Sequence, residues 1–369
     1  MENKYSIIST EKSWIEGEAV EQLKNAAKLS GMIEVVGMPD LHPGKGFPIG
    51  AAFISENVIY PFLIGGDIGC GMSLYQTDLL ARKVKVDKLI KRLQDLEGPW
   101  GGNLAEWRDS FGVMSSEFDQ SLGTIGAGNH FAEFVKLDRV EDEKILNELN
   151  ADPNYLFLLI HSGSRGYGES ILRGVTAQFQ NNPLTIGSDV ADDYLSNHED
   201  ALRWAKANRS LIAKRFCEAV NIESSKILEI EHNSLTQKII EGKTTWIHRK
   251  GAAPSDQGPV IIPGSRGAHT YLVSPIETNK AGWSLAHGAG RKWKRSEARG
   301  RIKEPVKNLS KTGLGSRVIC TDKNLMYEEA PQAYKDIEQV IEDLKHHNLI
   351  ECIARFSPVI TFKTQRQRK

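Results

Sequence analysis

Apolar positions along the chain fall into two rhythms. Helical spacing runs through residues 16–30, where Val20, Leu23, Ala26 and Ala27 share a face and Gly31 follows as a stop. It returns at 87–98 with Leu89, Ile90, Leu93 and Leu96, Asp87 being the expected cap and Gly98 the end. A long amphipathic stretch, 192–220, turns Leu202, Ala205, Ile212, Phe216 and Val220 inward, and a last helix is predicted to open at Pro331 and carry Tyr334, Ile337, Ile341 and Leu344. Strand-length apolar runs lie between them, at 33–36, 51–54, 72–77, 155–160, 227–230, 244–248, 260–262 and 357–362. The run at 155–160, YLFLLI, has no polar face, which predicts a strand buried on both sides. Strands and helices alternate without a βαβ rhythm, and no unit repeats. The pattern predicts one interwoven α+β domain over residues 1–369, mixed sheets with helices around them, with 364–369 as a flexible basic tail.

Charge and cysteine usage narrow the class. Forty-seven basic residues balance 47 acidic ones, so a polyanionic partner has to be met by a local patch and not by a global field. The four cysteines, Cys70, Cys217, Cys320 and Cys352, form no CxxC pair, which argues against a zinc ribbon or a disulfide framework and suits a reducing compartment. The first residues, MENKYSIIST, lack the apolar core of a signal peptide, and no apolar run is long enough to span a membrane. A cytoplasmic protein without a membrane partner is expected.

Chemistry-bearing residues gather in loops at strand ends, where folds collect functional groups. The stretch 63–72, LIGGDIGCGM, places Asp67 and Cys70 three residues apart among glycines. A carboxylate and a thiol so placed can begin a metal site or can be a turn-capping Asp beside a buried structural Cys. His130, His161, His232 and His287 each sit in a similar strand-end loop, in GAGNH, HSGSRG, EHNS and AHGAGR. One Asp, one Cys and three His can supply a binuclear site with a bridging thiolate, and mixed O, N and S donors fit Mn²⁺, Zn²⁺ or Co²⁺ better than Ca²⁺ or Mg²⁺. Arg165, Arg266 and Arg291 stand beside glycines, where backbone N–H groups and a guanidinium fork suit phosphate. Residues 291–303 hold seven basic residues against Glu297, with Trp293 among them, a second phosphate-binding candidate. Asp40, His42 and Lys45 form a polar group in the Gly/Pro-rich loop 38–50 that either lines a nucleotide site or shapes a turn.

The series GGDIGCGM, GAGNHFAE, HSGSRG, EHNS, RKGAAP, PGS and AHGAGR, in this order across nearly the whole chain, resembles the RtcB family of RNA ligases. The resemblance implies the RtcB-like fold and a GTP- and Mn²⁺-dependent ligase, cytoplasmic and acting in RNA repair or tRNA splicing. Its substrates would be RNA ends bearing a 3′-phosphate or 2′,3′-cyclic phosphate and ends bearing a 5′-hydroxyl. An archease-type activator is a further partner it admits. It assigns one Mn²⁺ to Asp67, Cys70 and His130 and a second to Cys70, His161 and His232, with Cys70 as the bridge. His287 would carry GMP covalently. Asn129, Glu133, Ser265, Thr270, Gly288, Gly290 and Lys363 would contact GTP or GMP, and Arg165 and Arg291 phosphate or RNA.

This chain departs from the family pattern at three places. Arg266 stands where Met is common, Thr270 where a Ser often meets the guanine, and TQRQRK extends past Lys363. Two other functions share part of the pattern. A binuclear phosphoesterase acting on RNA phosphates without joining ends would need the metal ligands but not His287 and Lys363. A metal-stabilised RNA-binding protein would need neither turnover nor exchangeable metal.

Overall fold

The computed structural model describes residues 4–94 and 96–364, and the tail expected at 364–369 lies outside the described residues except for Thr364. In chain order the strands are β1 (Tyr5–Ile7), β2 (Met32–His42), β3 (Ile49–Glu56), β4 (Val58–Ile59), β5 (Gly71–Leu80), β6 (Phe131–Val140), β7 (Tyr155–Ser162), β8 (Leu184–Thr185) and β9 (Ser224–Glu231). Then come β10 (Asn233–Ile240), β11 (Lys243–Lys250), β12 (Ala252–Pro254), β13 (Val260–Pro263), β14 (Thr270–Pro275), β15 (Ser284–Ala286), β16 (Arg317–Ile319) and β17 (Ile350–Phe362). The α-helices are α1 (Gly17–Ala26), α2 (Val86–Arg92), α3 (Leu104–Ser110), α4 (Glu143–Glu148), α5 (Gly166–Phe179), α6 (Asp189–Val220), α7 (Arg295–Arg301), α8 (Lys323–Glu328) and α9 (Ile337–His346).

Two sheets dominate. One runs β1-β2-β3-β11-β10, the other β13-β14-β17-β6-β7-β5-β9 with β16 added beside β17. Both are mixed, because β1 joins β2 and β16 joins β17 in parallel while their other pairings are antiparallel. One apolar cluster takes Val36, Ile54 and Ile247 from the smaller sheet and Leu74, Phe157 and Leu159 from the larger, so the main core lies between the sheets. On the far face of the larger sheet, Leu156, Leu158 and Ile160 pack against Ile212, Phe216 and Val220 of α6. On the far face of the smaller, Phe53 and Val35 pack against Leu23 of α1. The YLFLLI run is therefore buried on both faces because its odd and even positions serve different cores. The fold is α+β and interwoven, as the pattern predicts.

Several element boundaries differ from the expectation, each for a local reason. The first helix is Gly17–Ala26, shorter than residues 16–30, and Gly31 (φ 70°) turns the chain afterwards. The strand expected at 33–36 extends through His42, so Asp40 and His42 stand on its end and not in a loop. Regular pairing with β3 lapses between Gly37 and His42, which accommodates Pro39 with its missing N–H. Asp87 is in the first turn of α2 and does not cap it; Lys85 occupies that position, and the helix ends at Arg92. Pro331 opens only a 3₁₀ turn, Pro331–Ala333; α9 starts later, where the Asp336 side chain accepts from Glu338 N–H at 3.1 Å. Tyr334 is thereby extended and off the helix. Leu202 is only half-buried on α6. Helix α5 was not foreseen, since Gly168 and Gly174 weaken its helical signal.

Candidate metal centre and nucleotide cavity

The larger sheet brings its chemistry to one end. Asp67 and Cys70 precede β5, His130 precedes β6, His161 is on β7, and His232 follows β9. Because β9, β5, β7 and β6 are adjacent, loops far apart in sequence become neighbours. Cys70 Sγ lies 3.3 Å from His130 Nε2 and 3.2 Å from His161 Nε2. His161 Nε2 lies 3.2 Å from His232 Nε2, and Asp67 Oδ2 lies 2.8 Å from His130 Nε2. All five predicted ligands thus converge.

Two neighbours hold this loop. Gly163 lies so close that a Cβ there would stand 2.4 Å from Asp67 Oδ1 and 2.8 Å from the Cys70 Cα, so no larger residue fits. Arg209 of α6, fully buried, donates from Nη1 to Gly69 O (2.6 Å) and Ser162 O (2.8 Å), and from Nε to Glu229 Oε1 (2.7 Å). Arg209 was not singled out in the sequence, where an Arg mid-helix reads as surface.

The electrostatics suit a cation. Burial drives the His161 and His232 pKa values far below the usual imidazole range, helped by neighbouring histidines, so both rings are neutral and free to be ligands. Burial, followed by the Asp67 charge, raises the Cys70 thiol well above its ordinary value. Burial would raise Asp67 as well, but His130 and Arg165 outweigh it and hold the carboxylate well below its usual range. Three imidazole nitrogens, of which His161 Nε2 faces both His232 Nε2 and the Cys70 thiol, form with that thiol a donor set without a centre of its own. A borderline-soft divalent cation fits such a set and would displace the thiol proton. Cys70, His130 and His161 are buried, with ligand atoms within 4.8 Å of one another.

Beside this cluster opens a cavity of about 690 Å³. His287 follows β15, and its ring centroid is 4.7 Å from that of His232. Its Nδ1 lies 2.7 Å from Asp40 Oδ2, an ion-pair distance, and its backbone N–H donates to the same oxygen at 3.3 Å. Asp40 is wholly buried. His42 adjoins, its Nδ1 2.8 Å from Asp40 O, and burial lowers its pKa to about 4. His161, His287, Asn129, Ser265, Gly288 and Gly290 line the cavity, as do Glu133, Lys363 and Arg291.

Glu133, also lining the cavity, accepts from Thr361 Oγ1, and burial raises its pKa to about 7. Lys363 Nζ donates to His130 O (3.0 Å) and stands 3.6 Å from Glu329 Oε2. Glu329, itself buried, also accepts from Arg291 Nη1 (3.0 Å) and from the Tyr334 hydroxyl. Burial would raise Glu329, but Lys363, Arg291 and Arg295 together hold it low.

Other predicted residues make different contacts from those expected. Thr270 is buried in β14 and is not among the cavity-lining residues. Arg165 gives its backbone N–H to Asp67 Oδ1 at 2.8 Å, and its side chain lies against Gly126, where a Cβ would stand 0.8 Å from Nη1. Arg291 lines the cavity with its donors already given to Glu329, Glu328 O and Trp293 O. Arg266 also lines the cavity, but its guanidinium turns to Met326, donating to its carbonyl at 2.8 Å. Glu329, Tyr334 and Thr361 carried no signal of their own in the sequence.

A family model described as tRNA-splicing ligase RtcB matches residues 22–110 and 101–364. The chain belongs to the RtcB family. It is 48% identical over 364 residues to the RNA-splicing ligase RtcB2 of Escherichia coli (strain ATCC 25922), covering 98% of this chain and 96% of that one. It is 28% identical to the tRNA-splicing ligase RtcB of Archaeoglobus fulgidus, over 94% of this chain and 91% of that one. With the RNA-splicing ligase RtcB of Escherichia coli K12 the identity is 26%, over 97% and 99% of the two chains. Among the described residues of this RtcB-family chain, no helix is long and apolar enough to cross a membrane.

Proposed function

We propose that this chain is an RNA ligase that joins a 3′-phosphate or 2′,3′-cyclic phosphate end to a 5′-hydroxyl end, using GTP and two Mn²⁺ ions. Its family membership supports ligation. The observation that carries the mechanism is the His287–Asp40 pair at the edge of the cavity, beside His232. A 3′-phosphate monoester is a poor electrophile, because its displacement would expel oxide. Capping it with GMP makes the departing group a stabilised phosphate.

Asp40, close to Nδ1, favours the tautomer with its proton there and leaves Nε2 as the nucleophile. Attack by Nε2 on the α-phosphorus of GTP forms a P–N bond and breaks the bridging P–O bond, releasing pyrophosphate. An oxygen of the RNA 3′-phosphate then takes the guanylyl group from His287, giving RNA-3′-pp-5′-G. The 5′-hydroxyl attacks the RNA phosphorus, GMP leaves, and the hydroxyl proton passes to solvent. Asp67, Cys70 and His130 would hold one metal ion, and Cys70, His161 and His232 the other. Bound there, the metal would neutralise phosphate charge and polarise the P–O bonds being broken. Glu133 and Lys363, which line the same cavity as His287, would receive the guanine, and Asn129 a phosphate.

The test is incubation with Mn²⁺ and GTP labelled at the α-phosphate. Label should stay on the wild type and not on His287→Ala, and only the wild type should join the RNA ends. Ligation by His287→Ala would overturn the covalent route. Dephosphorylated, unjoined RNA as the sole product would replace it with a phosphoesterase.

A further inference from the structure

Strand β5 starts beside Cys70 and leads away from the catalytic cavity. Its nine steps from Gly71 to Leu80 span about 30 Å at the usual strand rise. The chain then turns into α2, and residues 81–93 carry Arg82, Lys83, Lys85, Lys88, Lys91 and Arg92 against a single acid, Asp87. In a chain of balanced charge that is a strong local excess. Together with the C-terminal turn of α6, this segment walls a groove of about 670 Å³. Five of those six cations line it and no carboxylate does, while Leu79, Val84 and Val220 contribute apolar surface.

Helix α6 accounts for only one of the cations. Arg92 Nη1 donates to Val220 O at 2.7 Å, meeting a carbonyl that the helix end leaves free. Arg82, Lys83, Lys85 and Lys88 are exposed and make no ion pair with another described residue. Asp87 does not neutralise them: it points to Arg317, with Oδ1 3.7 Å from Nη2. Four clustered, unneutralised cations are destabilising by mutual repulsion, so a polyanion that fills the groove relieves a cost the fold otherwise carries.

We propose that this groove is a second RNA contact, holding backbone phosphates of the substrate at a distance from the ends being joined. The inference rests on the ligase function proposed above for its choice of polyanion. Because β5 connects the two places, RNA seated in the groove has a fixed offset from Cys70. Long or structured RNA gains the extra contact, and a very short end does not.

The experiment compares the wild type with Lys83→Glu/Lys85→Glu/Lys88→Glu, none of which makes a described side-chain hydrogen bond. A control triple reverses three scattered exposed lysines, Lys28, Lys144 and Lys280. Equilibrium binding of a long 3′-phosphorylated hairpin and of a 3′-phosphorylated trinucleotide is measured across a salt series. The groove variant should bind the hairpin about tenfold or more weakly, with the slope of log K against log salt reduced by about 3, the loss of three phosphate contacts on a duplex. Its trinucleotide affinity and its labelling by GTP should match the wild type. Hairpin affinity and salt slope equal to wild type overturn the proposal, as does an equal loss in the control triple. Labelling and end-joining report on the ligase function separately, so its failure would show there and not in the hairpin comparison.

Discussion

In the proposed function both metal positions would depend on Cys70, whose sulfur lies 3.3 Å from His130 Nε2 and 3.2 Å from His161 Nε2. Cys70→Ala should therefore lose both bound metal ions, whereas Asp67→Ala should lose about one, as read by elemental analysis of the purified proteins. Retention of one equivalent by Cys70→Ala would refute the bridge. Glu133 provides a second test at this scale. Burial raises its pKa to about 7 against the lowering pull of Thr361 and Lys363, so the carboxylate takes up a proton within the physiological range. A guanine offers N–H donors, which only the ionised form can accept twice. GTP affinity should fall as pH drops below about 7, and Glu133→Gln should bind more weakly while losing that pH dependence. Stability has the opposite sign: the folded pKa is raised, so the charged form is disfavoured, and Glu133→Gln should melt above wild type at alkaline pH and match it in acid. The clustered residues Asp67, Cys70, His130 and His161 were legible because each sits in a short glycine-flanked motif, whereas His232 in EHNS has no glycine beside it. Glu329 was not legible, because EEAP carries no such flag and its charged partners Lys363 and Arg291 come from two distant segments, with Tyr334 five residues on.

Helix α6 links the fold to the site through one side chain. Arg209 supplies four hydrogen bonds inside the protein, to Gly69 O, Ser162 O, Ser73 Oγ and Glu229, and so ties the Cys70 loop to the end of β7. Arg209→Met would leave Glu229 without its buried partner and two backbone carbonyls without donors. A loss of roughly 3–5 kcal/mol in urea unfolding is expected, with weakened metal retention in the fraction that folds. A loss under about 1 kcal/mol would mean that water replaces the guanidinium. Elements with a single dominant rhythm were readable in advance, as YLFLLI and the face of α6 demonstrate. Boundaries set by tertiary partners were not. Tyr334 has helical spacing with Ile337 and Ile341, yet its hydroxyl is bonded to Glu329, and Asp336 caps the helix two residues later.

At the scale of the whole molecule, the clustered side chains meet because adjacent strands of one sheet end together, and the sequence could supply the motifs but not that adjacency. The last strand completes the arrangement. β17 pairs with β14, β6 and β16 and ends one residue before Lys363, whose backbone N–H donates to Ile319 O at 2.9 Å. Thr364 Oγ1 then donates to Gly126 O at 2.9 Å. Two truncations separate fold from function here. A chain ending at Thr364 keeps every one of these contacts and should melt with the full-length protein and take label from GTP. A chain ending at Phe362 keeps the strand pairings but removes the ammonium facing Glu329 and the donor to His130 O. Arg291 still neutralises Glu329 at 3.0 Å, so this shorter chain should fold with a modestly lowered melting temperature and fail to be labelled. Equal labelling of the two truncations would remove Lys363 from the nucleotide site, and collapse of both would show that the residues beyond Thr364 hold the sheet together.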